Sequence, residues 1–294
     1  MTDFDTFTLH TTEVSDESAE PQATVVFLHG LFGQGRNFSQ IAKSLLPELR
    51  SVLVDLPDHG ASDWTENFDY VQIADLVAEK LRAGPAAESP VHVVGHSMGG
   101  KVAMVLALRH PELVDRLVVV DISPVSGGST GEFSHLLGAL AELDLNTITR
   151  RKDADETLAA PIPNPTVRGF LLQNLRSTDE GFHWRAHLTM LHRDLDAIGG
   201  FPADKQLSQG RRGAEDGVTF DGQVLWVAGE NSDYITEDAE PTMRRLFPRT
   251  HLVTVKGAGH WVHSEKPEVF ISALRRFFPL EADADADVDT DAER

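Results

Sequence analysis

Short apolar runs alternate with longer stretches of helical periodicity along most of the chain. Residues 24–28 (TVVFL), 52–56 (VLVDL), 91–94 (VHVV), 117–120 (LVVV), 224–228 (VLWVA) and 251–255 (HLVTV) are rich in Val and Leu, and most lack polar alternation. Strands of a parallel sheet with both faces covered read this way. Between them, Ile73, Leu76, Val77 and Leu81 recur on one helical face, as do Val269, Ala273, Leu274 and Phe277. The stretch from Lys101 to Leu108 is apolar nearly all round, which predicts a helix buried against the sheet and stopped by Pro111. Near the start, FDTFTLHTTEV alternates and predicts an antiparallel edge strand. Strand–helix alternation of this kind gives an α/β fold.

One region breaks the alternation. From about Gly127 to Gly217 there is no clear strand, only helical patterns such as Phe133-Leu136-Leu137-Leu140 and Phe182–Ile198. Pro161, Pro163 and Pro165 punctuate it, and GRRGAEDG closes it. A helical insertion between two strands would sit over the carboxyl edge of the sheet, where open α/β sheets bind ligands. It reads as a cap.

At 294 residues, 41% hydrophobic and 24% charged, the chain suits one large soluble fold. The absence of cysteine excludes disulfides, thiolate metal sites and thiol catalysis. No apolar run approaches the length that crosses a bilayer. MTDFDTFTLH lacks the basic and apolar regions of a secretory signal and is too acidic for a transit peptide, so the expected location is cytoplasmic. The formal charge is −20, and its ends carry much of it. Residues 1–23 hold six acids and no Lys or Arg, while 281–294 (EADADADVDTDAER) hold seven acids and one Arg, leaving −8 between. So acidic a surface argues against nucleic acid or an anionic membrane as partner. The last segment has too little apolar area to fold and is expected to be a solvated tail.

The strand at 91–94 runs into Gly95-His96-Ser97-Met98-Gly99, a G-x-S-x-G pattern between a strand and a helix. Such a turn thrusts the serine hydroxyl out above the sheet, and its glycines permit the close backbone approach. The N–H of Met98, at the helix start, faces an incoming carbonyl. A serine needs a base. Of thirteen histidines, His260 stands in Gly257-Ala258-Gly259-His260-Trp261, just after the last strand and so at the same edge; His263 is the alternate base. The strand at 24–28 ends in His29-Gly30-Leu31-Phe32-Gly33, whose Leu31 N–H is the candidate second oxyanion donor. His29 is expected to brace that loop.

The segments HGLFG, GHSMGGK, VVVDISPV, NS-x-Y and GAGHWVHSEKP together resemble one group of the α/β-hydrolase superfamily, the small bacterial serine esterases and the related mitochondrial abhydrolase-domain proteins. The likeness spans roughly residues 24–278 and includes Trp184-Arg185, although His187 stands where those relatives tend to have Asn. It implies an α/β-hydrolase fold, a mostly parallel central sheet flanked by helices with a helical cap inserted after the sixth strand. It also implies hydrolysis of carboxylic esters or thioesters of short-to-medium acyl chains, with no cofactor. The third triad member is open between two aspartates. Many superfamily members place it after the strand at 224–228, where this chain has Gly229-Glu230-Asn231-Ser232 and then Asp233. The resembling group instead offers Asp121, in VVVDISP, which can orient the imidazole without itself being protonated; Asp121 is favoured, with Asp233 the alternative and Glu230 third. Phe32, Trp184, Leu188 and Leu191 are candidates for an apolar acyl pocket. The chain then divides into an acidic segment with an edge strand (1–23), a core (24–126 and 218–280), a helical cap (127–217) and the tail (281–294).

Other readings fail on particular residues. Gly95 to Lys101 also fits G-x-x-x-x-G-K, but Val102 stands where a nucleotide loop needs Ser or Thr. His183 and His187 are four apart, yet no third ligand accompanies them, so no metal site is expected. Ser97 excludes the aspartate nucleophile of dehalogenases and epoxide hydrolases. An acyltransferase with an alcohol acceptor, or a non-catalytic ligand-binding protein on the same scaffold, remain as alternatives.

Overall fold

A computed structural model describes residues 7–127, 130–209 and 217–280. The tail 281–294, Asp3 and Asp5, and all of GRRGAEDG but its last glycine lie outside the described residues. Seven strands form the main sheet in the order β1 (Thr11–Val14), β3 (Leu49–Val54), β2 (Ala23–Leu28), β4 (Val91–His96), β5 (Val114–Val120), β8 (Gln223–Gly229) and β9 (Thr250–Val255). All pairings are parallel except β1 with β3, where Thr11 faces Val54. The expected antiparallel edge strand is therefore present, shortened to four residues.

Strand ends differ from the apolar runs for local reasons. β3 stops at Val54 because the next residue, Asp55, turns its carboxylate to the N–H groups of Gly35 (2.7 Å) and Ala61 (2.9 Å). β4 continues past its apolar run, with Gly95 paired to Val119 and His96 to Val120. β9 reads as a strand covered on both faces, but it is the sheet edge, with Leu252 53% and Val253 41% exposed.

Successive residues of each strand serve opposite faces. Val25, Phe27, Val94, Val118, Leu225 and Val227 pack with helices Ser39–Ser44 and Pro267–Phe277. Val26, Leu28, Val93, Leu117, Val119 and Trp226 pack with Tyr70–Arg82 and the almost wholly buried Met98–Arg109. Asp69 caps the former by accepting from Val71 N (2.7 Å). The latter ends before Pro111, as expected. In the last helix the core face centres on Phe270 and Leu274, while Val269 is exposed, a rotation of the face read from sequence.

The insertion follows β5, the fifth described strand, rather than a sixth. Helices Thr130–Ala141, Arg151–Leu158, Pro165–Leu171, Leu188–Arg193, Leu195–Gly199 and Asp204–Ser208 make most of it. It also contains an antiparallel hairpin, β6 (Leu175–Thr178) and β7 (Gly181–Trp184), which the helical reading of 182–198 overlooked. With four residues per strand, and Gly181 turning at φ 114°, the hairpin is too short to give a period.

Lys101, 2% exposed, fastens this insertion to the helix that follows Ser97. Its ammonium donates to the carbonyls of Gly200 (2.7 Å), Gly199 (2.8 Å) and Val125 (3.3 Å), so it ties the chain just before the insertion to a point within it. Burial pushes its pKa down to about 8. Tyr70 adds a hydroxyl bond to Ile198 O (2.7 Å).

Removing the ammonium takes this donor from the part-buried carbonyls of Val125 and Gly200, while Gly199 O keeps the N–H of Gly127. Lys101→Met should lower the unfolding free energy by about 2 kcal/mol in urea denaturation; an unchanged midpoint would show that the clamp carries no stability. Burial also pushes His59, His92 and His263 each down to about 4. An unfolded histidine takes its proton near pH 6.5. Between about pH 6.5 and 4 the unfolded chain therefore binds more protons than the folded one, so stability is lost as pH falls through that window. The melting temperature should decrease from pH 7 to 5. His263→Phe, against the rings of Phe38 (4.8 Å) and Phe270 (6.2 Å), should make that decrease shallower in scanning calorimetry; an equal slope counts against the assignment.

Candidate active site

Ser97 sits between the last residue of β4 and the first helical residue, with φ 53° and ψ −120°. This non-glycine left-handed backbone is costly, of order 1–3 kcal/mol, and its surroundings enforce it. Ser97 N donates to Val120 O (3.0 Å), and a Cβ on Gly99 would lie 2.3 Å from Leu28 O, so the turn closes only around glycine.

The hydroxyl of Ser97 lies 2.9 Å from His260 Nε2, although 163 positions separate them in sequence. His260 Nδ1 lies 2.8 Å from Asp121 Oδ2. A carboxylate only accepts, so the proton is assigned to Nδ1, which leaves the Nε2 lone pair facing the hydroxyl. Asp121 is wholly buried and lies at the carboxyl end of β5 with φ 52°. Its Oδ1 accepts from Gly229 N (2.9 Å), and Oδ2 also accepts a short bond from the Ser232 hydroxyl. Asp233, the alternative acid, is exposed. Serine at 232, where the common superfamily pattern has its acid, instead reaches the carboxylate of Asp121.

Several residues that the sequence did not assign to this role hold the imidazole in place. Tyr234 stacks on it at 4.1 Å. His96 Nε2–H donates to His260 O (2.9 Å), Glu265 accepts from Gly259 N (2.7 Å) and Glu230 from Gly257 N (2.8 Å). Glu230 thus braces the loop rather than facing His260. His263 is half-buried with its ring 4.6 Å from that of His96 and 4.8 Å from that of Phe38, and it lines neither cavity that holds Ser97. Burial, and then the neighbouring His260, hold it unprotonated near neutral pH.

The loop after β2 presses against Ser97. A Cβ on Gly30 would lie 2.9 Å from His96 Nδ1 and 3.2 Å from Ser97 Cβ, so glycine lets Leu31 approach. His29 braces this loop, accepting from Leu56 N at Nε2 (2.9 Å) and donating from Nδ1 to Gly30 O (2.8 Å). Phe32 is strained at φ 62° and pinned at both ends: its N–H donates to His59 Nε2 (3.3 Å), and Asn174 Nδ2 donates to its carbonyl (2.7 Å). Asn174 belongs to the insertion and also accepts from Gln34 Nε2 (3.0 Å). Met98 opens its helix, so its N–H has no intrahelical partner. Leu31 and Met98 both border the cavity at Ser97.

Two adjoining cavities of about 420 and 600 Å³ share Leu31, Ser97, Phe133 and Tyr234. Their walls are apolar: Ile122, Leu195 and Ile198 in one, Phe32, Phe170 and Trp261 in the other. Of the expected pocket residues, Phe32 lines a cavity and Trp184, Leu188 and Leu191 do not. Leu188 and Leu191 are buried inside the insertion, whose helix 188–193 packs against helix 130–141, and Trp184 is half-buried on the hairpin. Helical spacing identified apolar residues of the insertion but not which side faces the sheet. His183 lies exposed on β7, whereas His187 stacks on Trp64 (4.2 Å) and meets Asp58 Oδ1 (3.3 Å), so the two do not share a helix face. Among the described residues no three metal-ligating side chains gather, and no helix is long and apolar enough to cross a membrane.

Comparison with known proteins agrees with this geometry. Residues 25–273 match the family model described as the alpha/beta hydrolase family. The chain is 36% identical over 260 residues to the sn-1-specific diacylglycerol lipase ABHD11 of Mus musculus, covering 86% of this chain and 80% of that protein. It is 32% identical over 270 residues to a probable alcohol acetyltransferase of Saccharomyces cerevisiae, covering 85% and 75%. The solved structure of a marine microorganism esterase superposes with a TM-score of 0.83 at 28% identity, covering 93% of this chain and all of that one. With a mostly parallel sheet flanked by helices, and with esterases and lipases as its relatives, the chain belongs to the alpha/beta hydrolase family and is an ester hydrolase.

Proposed function

We propose that the protein is a serine hydrolase that cleaves carboxylic esters or thioesters of short-to-medium acyl chains through an acyl-enzyme. The observation that carries this reading is the continuous line of hydrogen bonds from Ser97 Oγ through His260 to Asp121, at 2.9 and 2.8 Å. Ser97 Oγ attacks the acyl carbonyl carbon while His260 Nε2 takes its proton. The negative charge that moves onto the carbonyl oxygen is met by the N–H groups of Leu31 and Met98, fixed before the substrate arrives. When the intermediate collapses, His260 returns the proton to the departing alcohol or thiol, leaving the acyl group on Ser97. His260 then takes a proton from water as the oxygen attacks the same carbon, and returns it to Ser97 Oγ as the Oγ–carbon bond breaks and the acid leaves. Asp121 keeps its charge and stabilises the imidazolium formed in each half.

In this reading residues 24–126 and 218–280 are the catalytic core, 127–217 the cap that shapes the acyl pocket, and 1–23 and 281–294 acidic flanks. The apolar cavities beside Ser97 support an acyl chain as the recognised group. The likeness to a probable alcohol acetyltransferase favours one second reading, in which an alcohol rather than water accepts the acyl group.

A fluorophosphonate probe should label Ser97, and Ser97→Ala should abolish labelling; an unlabelled wild type would point to a non-catalytic binding protein. His260→Ala should reduce kcat on p-nitrophenyl butyrate by about 10⁴-fold or more. Asp121→Asn should lose about 10⁴-fold with Asp233→Asn near wild type; the opposite ranking would move the acid to Asp233. Product analysis in added ethanol should give free acid as the main product, whereas predominant ethyl ester would establish acyl transfer.

A further inference from the structure

Four arginines converge on one short segment of the insertion. Arg151 donates to the carbonyls of Leu172 and Leu175 (2.7 Å for the latter), and Arg36 donates to Gln173 O (3.3 Å). Arg185 N donates to Asn174 O (2.8 Å), and Arg176 follows directly on β6. More than half of the arginines among the described residues lie against a carboxylate, as Arg82, Arg109, Arg168, Arg245 and Arg275 do. Among the described residues Arg36, Arg151, Arg176 and Arg185 make no ion pair, and the buried Nε of Arg176 has no hydrogen-bond partner. Burial first, then the charges of Arg36, Arg185 and Arg151, press the pKa of Arg176 downward. Asp55, the acid whose field reaches it, already spends its oxygens on the amides of Gly35 and Ala61.

Unpaired guanidinium groups crowded together repel one another, and in a chain of net charge −20 such a group stands out. Planar forks of N–H donors match the oxygens of a phosphate, and a dianion relieves several like charges at once. The position bears on the reaction. Asn37, next to Arg36, donates to Gln173 Oε1 (2.9 Å) and lines a cleft of about 270 Å³ with Gly30, Leu31, Phe170 and Trp261. That cleft shares Leu31, Phe170 and Trp261 with the cavity that holds Ser97, and its lining residue Asn37 directly follows Arg36.

We propose that Arg36, Arg176 and Arg185 form a binding site for a phosphate group carried on the alcohol half of the ester. The acyl chain then occupies the apolar cavities, and the leaving group extends along the cleft with its phosphate among the guanidinium groups. Arg151, whose nitrogens are engaged by carbonyls, adds charge without direct contact. This rests on the hydrolase reading for its substrate but not for its anion, so binding and turnover are measured separately.

Calorimetric titration of full-length Ser97→Ala protein with inorganic phosphate at low ionic strength should show saturable binding. Adding Arg176→Gln and Arg185→Gln should weaken it about tenfold or more. In steady-state kinetics, kcat/KM for 1-butyrylglycerol 3-phosphate should exceed that for 1-butyrylglycerol by about tenfold, through KM. The two Gln substitutions should bring that ratio to about one and leave the neutral ester unchanged. Arg185→Gln alone, whose side chain makes no hydrogen bond among the described residues, serves as a folding-neutral check and should reduce the ratio in part. Phosphate binding that the variants leave unaltered overturns the site. Binding without preference for the phosphorylated ester overturns its assignment to substrate and leaves free phosphate as the ligand. Failure to turn over either ester, with phosphate still bound through the arginines, sinks the hydrolase reading and keeps the anion site.

Discussion

A carboxylate sealed from water ties together three loops at one edge of the sheet. Asp121 receives hydrogen bonds from Gly229 N at the end of β8, from the Ser232 hydroxyl in the next loop, and from His260 after β9. A buried charge is tolerated only when donors replace the water it has lost. Held by these donors, Asp121 stays aimed at Nδ1 and is the acceptor that fixes the tautomer of His260. The direction of the Nε2 lone pair, and hence any proton transfer from Ser97, follows from the saturation of this one group.

Backbone strain gathers at the same edge. Among the described residues the non-glycine positions with positive φ are Phe32, Asp58, Ser97 and Asp121, each in a turn after or near a strand end. None would hold such a conformation in an isolated loop. Ser97 and Asp121 are held through their own amides, bonded to carbonyls of the adjacent strands β5 and β8. Phe32 is clamped by His59 and Asn174, and Asp58 accepts from both the amide and the hydroxyl of Thr65. Parallel register delivers the ends of β2, β4, β5, β8 and β9 to one line, and the packed sheet carries the cost of turning each sharply there.

What could be read from the sequence follows the same division. The strands were visible because their burial demands Val and Leu, and Ser97 and His260 because glycines must surround turns that abrupt. Asp121 was reached through a resemblance, since a lone aspartate after a strand carries no pattern of its own. The insertion was visible as an interruption, but its hairpin was not, and the three residues chosen within it, Trp184, Leu188 and Leu191, do not line the cavities beside Ser97. Period fixes which side of a short helix is apolar; it does not say whether that side meets the sheet, another helix or a cavity. Phe170 and Ile198 line cavities while Leu188 and Leu191 fill the insertion's interior, although all four are large apolar residues. Likewise the bonds of Lys101 to Gly199 and Gly200 join residues about a hundred positions apart, beyond the reach of any local rule.

These long-range bonds also explain how chemistry and recognition can be separate and still be aligned. The sheet and its loops position the hydroxyl, imidazole and amides, whereas the insertion supplies about half of the apolar wall. Buried polar side chains help to join them: Lys101 on the helix after Ser97 holds Val125, just before the insertion, to Gly199 and Gly200 within it, and Asn174 of the insertion grips the loop that carries Leu31 and Phe32. Both fastenings are buried, so breaking either leaves unpaired polar groups in the interior. An apolar wall alone could slide over the sheet edge with little penalty, since dispersion contacts have no direction. Directional bonds to backbone carbonyls remove that freedom and fix the depth of the cavities relative to Ser97. Side chains on the inner face of the insertion are therefore free to change the shape of the ligand without disturbing the atoms beside Ser97.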